Sequence, residues 1–396
     1  MERLNKMKTF VYSALLASLV FLAGCGSDSD SDKETSELPS CNSQSGLSGP
    51  LPVCSAENVC TNPGLDVGGS EITTSYTIPL CQTTAAGRTD HDDGPPLSWV
   101  DPDGVTRSAC LFAPSGASSS SQRPLVVFLH GGGSGSADDV YDHTSLRDKA
   151  PDYDLSGDPL RPGFFLLSVH GRHLHYPTEA ARDGNHHDFY FRDFASPSSN
   201  PDIANVDRLI DDLVATGNVD PDRIYFMGWS NGGFFSQMYV IARQLTPTPG
   251  GNRPAAAVAY TAADPFNNTN AEQSPSCQLD PYPLSEAPIF LVSRACDIVA
   301  CDSAQALELE SQGVVVAPGH IVGDWEVALQ NTVGDPNVSR IIVSGTGQIV
   351  ANCTIAALCT GGIATINHVR WPDGVADGSG TDHEPAMLDF LRDNPL

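Results

Sequence analysis

The chain is expected to adopt an α/β fold in which a mostly parallel central sheet is covered by helices on both faces. Three observations predict this. Short, continuous apolar runs such as Leu125-Val126-Val127-Phe128-Leu129 and residues 164–169 are of the kind found in strands buried on both sides. Segments with helical spacing lie between and after such runs: Ile203, Val206, Leu209, Ile210, Leu213 and Val214, then Phe234, Met238, Ile241 and Leu245. Further strand-like runs follow at 255–260, 289–292 and 363–366, with a last helix over 386–393. Strands alternating with helices place the crossovers on the two faces of a parallel sheet.

The N-terminal part is of a different kind. Lys6 and Lys8 precede an apolar run over 10–23, which is short for a bilayer span and reads as a signal h-region. Leu22-Ala23-Gly24-Cys25 resembles a bacterial lipobox, in which cleavage precedes the cysteine and its thiol is lipidated. Residues 1–24 are therefore expected to be a lipoprotein signal peptide, with a plain secretory signal as the alternative. Gly26 after Cys25 points to the outer membrane or cell surface, and the membrane is met only through lipidated Cys25. Residues 25–50, rich in Ser, Asp and Gly, read as a flexible tether. Residues 51–107 form a Cys-, Pro- and Gly-rich extension with a strand-like stretch at 72–80, and 108–396 form the main domain.

Of 11 cysteines, setting aside Cys25 leaves ten: Cys41, Cys54, Cys60, Cys81, Cys110, Cys277, Cys296, Cys301, Cys353 and Cys359. In an exported chain an even set reads as disulfides, and no C-x-x-C pair supports zinc. Connectivity is not deducible; Cys296–Cys301 and Cys353–Cys359 are the local pairings considered. The formal charge of -27, from 48 acids and 21 bases, disfavours nucleic acid and anionic membrane surfaces. Asp90-His91-Asp92-Asp93-Gly94 has a partial calcium-loop pattern without the full ligand spacing and is expected to be a solvated turn.

The chemistry is expected around Gly228-Trp229-Ser230-Asn231-Gly232, a G-x-S-x-G turn between the apolar strand 223–227 and an amphipathic helix. Such a turn is sharp, a Cβ at either glycine would clash, and it lifts the serine hydroxyl into a cleft. A serine hydroxyl needs a base, an acid that orients the base, and backbone donors for an oxyanion. His130-Gly131-Gly132-Gly133, directly after the strand 125–129, supplies such donors, with Gly132 N–H and Asn231 N–H as the expected oxyanion hole. The acid belongs at the end of a later strand. Asp297 after 289–292 is favoured, with Asp302 and Asp264 as alternatives. The base follows the acid. His368, just after the strand expected at 363–366, and His383, next to the last helix, both obey this order, with His383 the alternative base where His368 is taken, and His320 is also in order. A second group, His170, His173, His175, His186 and His187, follows the strand 164–169. It is read as pocket lining or loop bonding rather than a metal site.

The stretch 218–233, containing Asp220-Pro221-Asp222-Arg223-Ile224-Tyr225 and Gly228-Trp229-Ser230-Asn231-Gly232-Gly233, together with Leu129–Gly133, resembles α/β-hydrolase esterases related to polyhydroxybutyrate depolymerases and feruloyl or acetylxylan esterases. That group carries its histidine in a G-H-x-W-P motif. Here His368-Val369-Arg370-Trp371-Pro372 has one extra residue, and Asn367 replaces the glycine. The resemblance covers roughly residues 108–396. It implies an α/β-hydrolase fold, an ester substrate, an acyl-enzyme formed by Ser230 with His368 as base and Asp297 as orienting acid, and no cofactor. A serine peptidase of the same fold, a non-enzymatic surface protein, and a polysaccharide-binding lipoprotein are the rival readings. Neither the natural ester nor the oligomeric state is legible.

Overall fold

A computed structural model describes residues 78–102, 104–174, 184–189, 196–266, 284–316, 319–333, 337–353 and 361–396. The expected signal peptide, the expected tether, most of the Cys-rich extension, His175 and Cys41, Cys54, Cys60, Cys277 and Cys359 lie outside these residues.

Eleven strands appear among the described residues: β1 Leu97–Val100, β2 Thr106–Phe112, β3 Arg123–Leu129, β4 Phe165–Val169, β5 Arg172–Leu174, β6 Gly184–His186, β7 Val219–Trp229, β8 Ala256–Tyr260, β9 Ile289–Arg294, β10 Ser339–Val343 and β11 Ile349–Val350. Nine form one sheet in the order β1-β2-β4-β3-β7-β8-β9-β10-β11, and β5 and β6 form a separate ribbon. The pairs from β4 through β10 are parallel. β2 is antiparallel to both β1 and β4, and β11 is antiparallel to β10. With the helices on both faces, this is an α/β-hydrolase fold. From β3 the chain steps to β4 on one side and later to β7 on the other, so the strand order reverses around β3. In open parallel sheets the crevice at such a reversal is where ligands bind.

The strand side chains alternate strictly between two cores. Leu125, Val127 and Leu129 face one core with Ile224 and Phe226; Val126 and Phe128 face the other with Tyr225 and Met227. The first core takes its cover from α3 (Pro201–Ala215) and α4 (Asn231–Leu245) through Ile203, Val206, Leu209, Met238 and Ile241. The second is covered by α1 (Asp139–Asp142), α2 (Leu146–Lys149) and α8 (Glu384–Asp393) through Val140, Leu146, Met387, Leu388 and Leu391. Two-sided burial is why these strands read as unbroken apolar runs. α3 starts where Asn200 accepts N–H bonds from Asp202 and Ile203 and Pro201 takes the first turn.

Three expectations need correction. Residues 363–366 are not a strand but lie in helix α7 (Gly361–His368), which follows α5 (Ser303–Ser311) and α6 (Val322–Ala328). Cys301 pairs with Cys353, so neither Cys296–Cys301 nor Cys353–Cys359 forms. Cys296 is itself in a disulfide, and Cys81 is bonded to Cys110 of β2. Finally, 90–94 is no merely solvated turn. Asp93 takes two bonds from Arg147 and one from Tyr141, and His91 meets Asp148 at 2.7 Å. This strap is thereby fastened to α1 and α2.

Candidate functional site

β7 ends in the turn that carries Ser230. Its backbone stands at φ 52, ψ -118, a region that L-residues rarely occupy. The flanking glycines have a steric reason. A Cβ on Gly228 would lie 2.1 Å from Gly232 O, and one on Gly232 would lie 2.1 Å from Leu129 O. The turn is held by Ser230 N–H to Tyr260 O at 2.9 Å and by Phe234 N–H to Ser230 O at 3.0 Å.

The structure brings Ser230, His368 and Asp297 together. Ser230 Oγ and His368 Nε2 are 2.7 Å apart, and His368 Nδ1 and Asp297 Oδ1 are 2.8 Å apart. A carboxylate can only accept, so Nδ1 carries the ring proton. Nε2 then offers a lone pair to the serine O–H. Asp297 is fully buried, and its Oδ1 also accepts from Val299 N–H at 3.0 Å. His368 ends helix α7 rather than following a strand. Its carbonyl accepts from Trp229 Nε1 at 2.9 Å, which ties the base to the residue before the serine. Asn367, the departure from the glycine of the related motif, donates to Ala295 O and Cys296 O at 3.1 Å each. It thereby clamps the loop that presents Asp297. Trp371 is buried against Phe128, Trp229 and Tyr260, and its Nε1 donates to Glu384.

The alternatives are placed elsewhere. His383 Nε2–H donates to Gly347 O at 2.6 Å at the start of α8. Asp302 caps α5 through Gln305 N–H, and Asp264 accepts from Phe266 N–H. His320 packs against Phe234.

The glycine loop after β3 lies against the serine. A Cβ on Gly131 would be 3.7 Å from Ser230 Cβ. The backbone N–H groups of Gly132 and Asn231 have no acceptor among the described residues. Asn231 N–H is the first of α4 and could not bond within the helix. The loop is pinned from outside. Gly133 and Asn185 exchange N–H···O bonds of 2.9 and 2.7 Å, and Asn185 Nδ2 donates to Gly135 O. The Asn231 side chain bonds both backbone groups of His187, at 2.7 and 3.1 Å. A Cβ on Gly132 would meet His186 Nδ1 at 2.6 Å. Gly132→Ala is therefore expected to displace the loop and lower kcat about 10²–10³-fold, the usual cost of one oxyanion donor, with little change in KM. Steady-state kinetics on a p-nitrophenyl ester would check this.

The histidine group forms the wall behind this loop. His130 Nδ1 faces Gly131 O at 2.6 Å, and its Nε2 accepts from Gly171 N–H at 2.9 Å. The ring is therefore neutral, with its proton on Nδ1. Burial drives His130 down to about 4 and His170 down to about 3, and it lowers His187 well below the usual value. Above pH 6.5 these rings are neutral in both states and add no pH dependence. Below it, the unfolded rings bind protons that the folded ones refuse, so stability is lost as pH falls toward the folded values. Burial holds Asp139 and Glu384 up to about 7, which acts in the opposite sense: their contribution is present at low pH and lost as pH rises to 7. His130 is therefore expected to stay neutral down to about pH 4, which NMR titration of its ring protons would check. A ring that takes up its proton near 6.5 instead would mean that it is not shut away from water as its burial implies.

No family model and no curated protein sequence matches the chain. Among solved structures, a thermostable esterase aligns at 15% identity over 80% of this chain and 71% of its own, with a TM-score of 0.40. A hyperthermophilic esterase from the archaeon Pyrobaculum calidifontis aligns at 15% identity over 75% of this chain and 84% of its own, also at 0.40. The AtxE2 isopeptidase aligns at 15% identity over 75% of this chain but 39% of its own, again at 0.40.

Proposed function

We propose that this protein is a serine carboxylesterase working through an acyl-enzyme. The observation that carries the proposal is the hydrogen-bonded series Ser230–His368–Asp297 at 2.7 and 2.8 Å, with Ser230 at positive φ in its turn. In this reading His368 Nε2 takes the hydroxyl proton as Ser230 Oγ attacks the ester carbonyl. The negative oxygen that forms is met by the N–H groups of Gly132 and Asn231. Asp297 holds the imidazole in its tautomer and stabilises the imidazolium. His368 then returns the proton to the leaving alcohol, and the acyl group stays on Ser230. Water, deprotonated by His368, attacks the acyl carbonyl, and the acid leaves with Ser230 reprotonated.

The substrate classes that this reading favours are aliphatic polyesters and the acetyl or aryl esters of polysaccharides. We also propose that the chain is exported and lipid-anchored through Cys25. The Cys81–Cys110 and Cys301–Cys353 disulfides support an oxidising compartment. Among the described residues no helix is long and apolar enough to cross a membrane.

The test is an ester panel on the purified protein with Ser230→Ala alongside: p-nitrophenyl acetate to long acyl chains, methyl ferulate, acetylated xylan and an emulsified polyester. A dipeptide anilide serves as the peptidase control. Serine-dependent turnover of any ester, exceeding that of the anilide, supports the proposal. Turnover of the anilide alone would replace it with the peptidase reading.

A further inference from the structure

A hollow lies on the same rim of the sheet as Ser230. Leu97 of β1 pairs with Ala109, Ala109 with Val169, Val169 with Leu129, and Leu129 with Gly228. Two residues past that common level stand Trp99 on one side and Ser230 on the other. Between β1 and β7 there are four strand spacings, about 19 Å. At the β1 end is a cavity of about 340 Å³ lined by Trp99, Asp101, Pro201, Ala204, Asn205 and Arg208, among others. This is within the size range of small-ligand sites. An adjoining hollow of about 280 Å³ shares Ala204 and Arg208 and prolongs it along α3.

The informative side chain is Asn205. It is 4% exposed, yet neither its amide N–H₂ nor its carbonyl oxygen has a hydrogen-bond partner among the described residues. A buried amide left unpaired is costly, and such groups are normally satisfied. A ligand completing it must bring a donor and an acceptor side by side. Adjacent hydroxyls on one ring do this. Trp99 supplies a half-buried aromatic wall against which the C–H face of such a ring can pack, and Arg208 holds its guanidinium 5.3 Å over the Trp99 ring. The formal charge of -27 disfavours an anionic ring.

We propose that this hollow is a binding subsite for a neutral sugar ring of an oligosaccharide. The ring stacks on Trp99, and neighbouring hydroxyls donate to and accept from the Asn205 amide. Binding there does not depend on hydrolysis. Its role, holding a polysaccharide chain so that an ester further along it reaches Ser230, rests on the esterase reading.

The experiment is calorimetric titration of the full-length Ser230→Ala protein with xylohexaose and with cellohexaose, neither of which carries an ester. Binding of at least one hexaose is expected, weakened about tenfold or more by Asn205→Leu and by Trp99→Ala. Asn205→Leu removes an unpaired amide, so its Tm is expected to equal or exceed that of the parent, which keeps the test valid if Trp99→Ala folds poorly. In the Ser230 background, kcat/KM on p-nitrophenyl acetate is expected to be unchanged by Asn205→Leu. No binding of either hexaose at about 10 mM, or binding that Asn205→Leu leaves unaltered, would overturn the subsite. Failure of p-nitrophenyl ester turnover would instead strike the esterase reading and leave the hexaose result standing.

Discussion

Replacing Ser230 by alanine is expected to lower kcat on a p-nitrophenyl ester by about 10⁶-fold, to a level set by the oxyanion donors and binding alone. The fold should be unaffected. Alanine keeps the Cβ, and the two bonds that hold the turn, to Tyr260 O and from Phe234 N–H, belong to the backbone. The lost hydroxyl bonds His368 Nε2, on a ring that retains some exposure and can turn to water. Ser230→Gly separates strain from chemistry. A non-glycine residue at φ 52, ψ -118 costs about 1–3 kcal/mol, so the glycine variant should be equally inactive but melt higher than Ser230→Ala. A serine held in this conformation at a cost in stability is what a nucleophile needs and a structural turn does not. Retained activity in Ser230→Ala would sink the proposed function. A glycine variant that melts below the alanine variant would show that the turn is not strained.

What was legible in the chain is what is spelled locally. Gly228 and Gly232 are required by contacts of 2.1 Å with backbone oxygens within the turn and on β3, so the elbow announces itself in five consecutive residues. The strands 125–129 and 224–227 are readable because burial on both faces leaves no charged interruption. The helix over Gly361–His368 was not readable as one. Ile363-Ala364-Thr365-Ile366 is short, largely apolar and β-branched at three of its four residues, and periodicity does not separate strand from helix at that length. In the fold Ile363 and Ile366 are exposed, while Ala364 and Asn367 face inward. The apolar residues that suggested a buried strand are thus on the outside. Order along the chain survives a wrong element type but admits His368, His383 and His320 alike; the likeness of His368-Val369-Arg370-Trp371-Pro372 to the related motif is what singles out His368. The departure at Asn367 carried a signal of its own: a side-chain amide where the related motif has none implies a bond to be made, here the clamp on Ala295 and Cys296. Disulfide connectivity was illegible because Cys301 and Cys353 meet through the pairing of β9 with β10, which no local spacing records. The link between Asn231 and His187 likewise depends on the β5–β6 ribbon returning to the rim.

The second large effect concerns the base. His368→Ala is expected to reduce kcat by about as much as Ser230→Ala, roughly 10⁶-fold, because without Nε2 the hydroxyl has no acceptor for its proton. Asp297→Ala should cost about 10⁴-fold, less than loss of the base, since the acid touches no substrate and acts only by orienting and stabilising His368. From this dependence a non-additive result follows. The double variant His368→Ala with Asp297→Ala should be no slower than His368→Ala alone, because an orienting acid has nothing left to orient. Asp297→Asn should retain more activity than Asp297→Ala. Both the His368 and the Val299 bonds fall on Oδ1, and an amide oxygen placed there keeps the ring tautomer while the charge is lost. His383→Ala is the contrast. Its ring serves Gly347 O at the start of α8, so kcat should be retained while stability drops by about 1–3 kcal/mol from the stranded buried carbonyl. Steady-state kinetics and thermal melts on the five variants decide the matter. If His383→Ala were inert and His368→Ala active, the base would have to be reassigned. If the double variant fell a further 10⁴-fold, Asp297 would have a role that does not pass through His368.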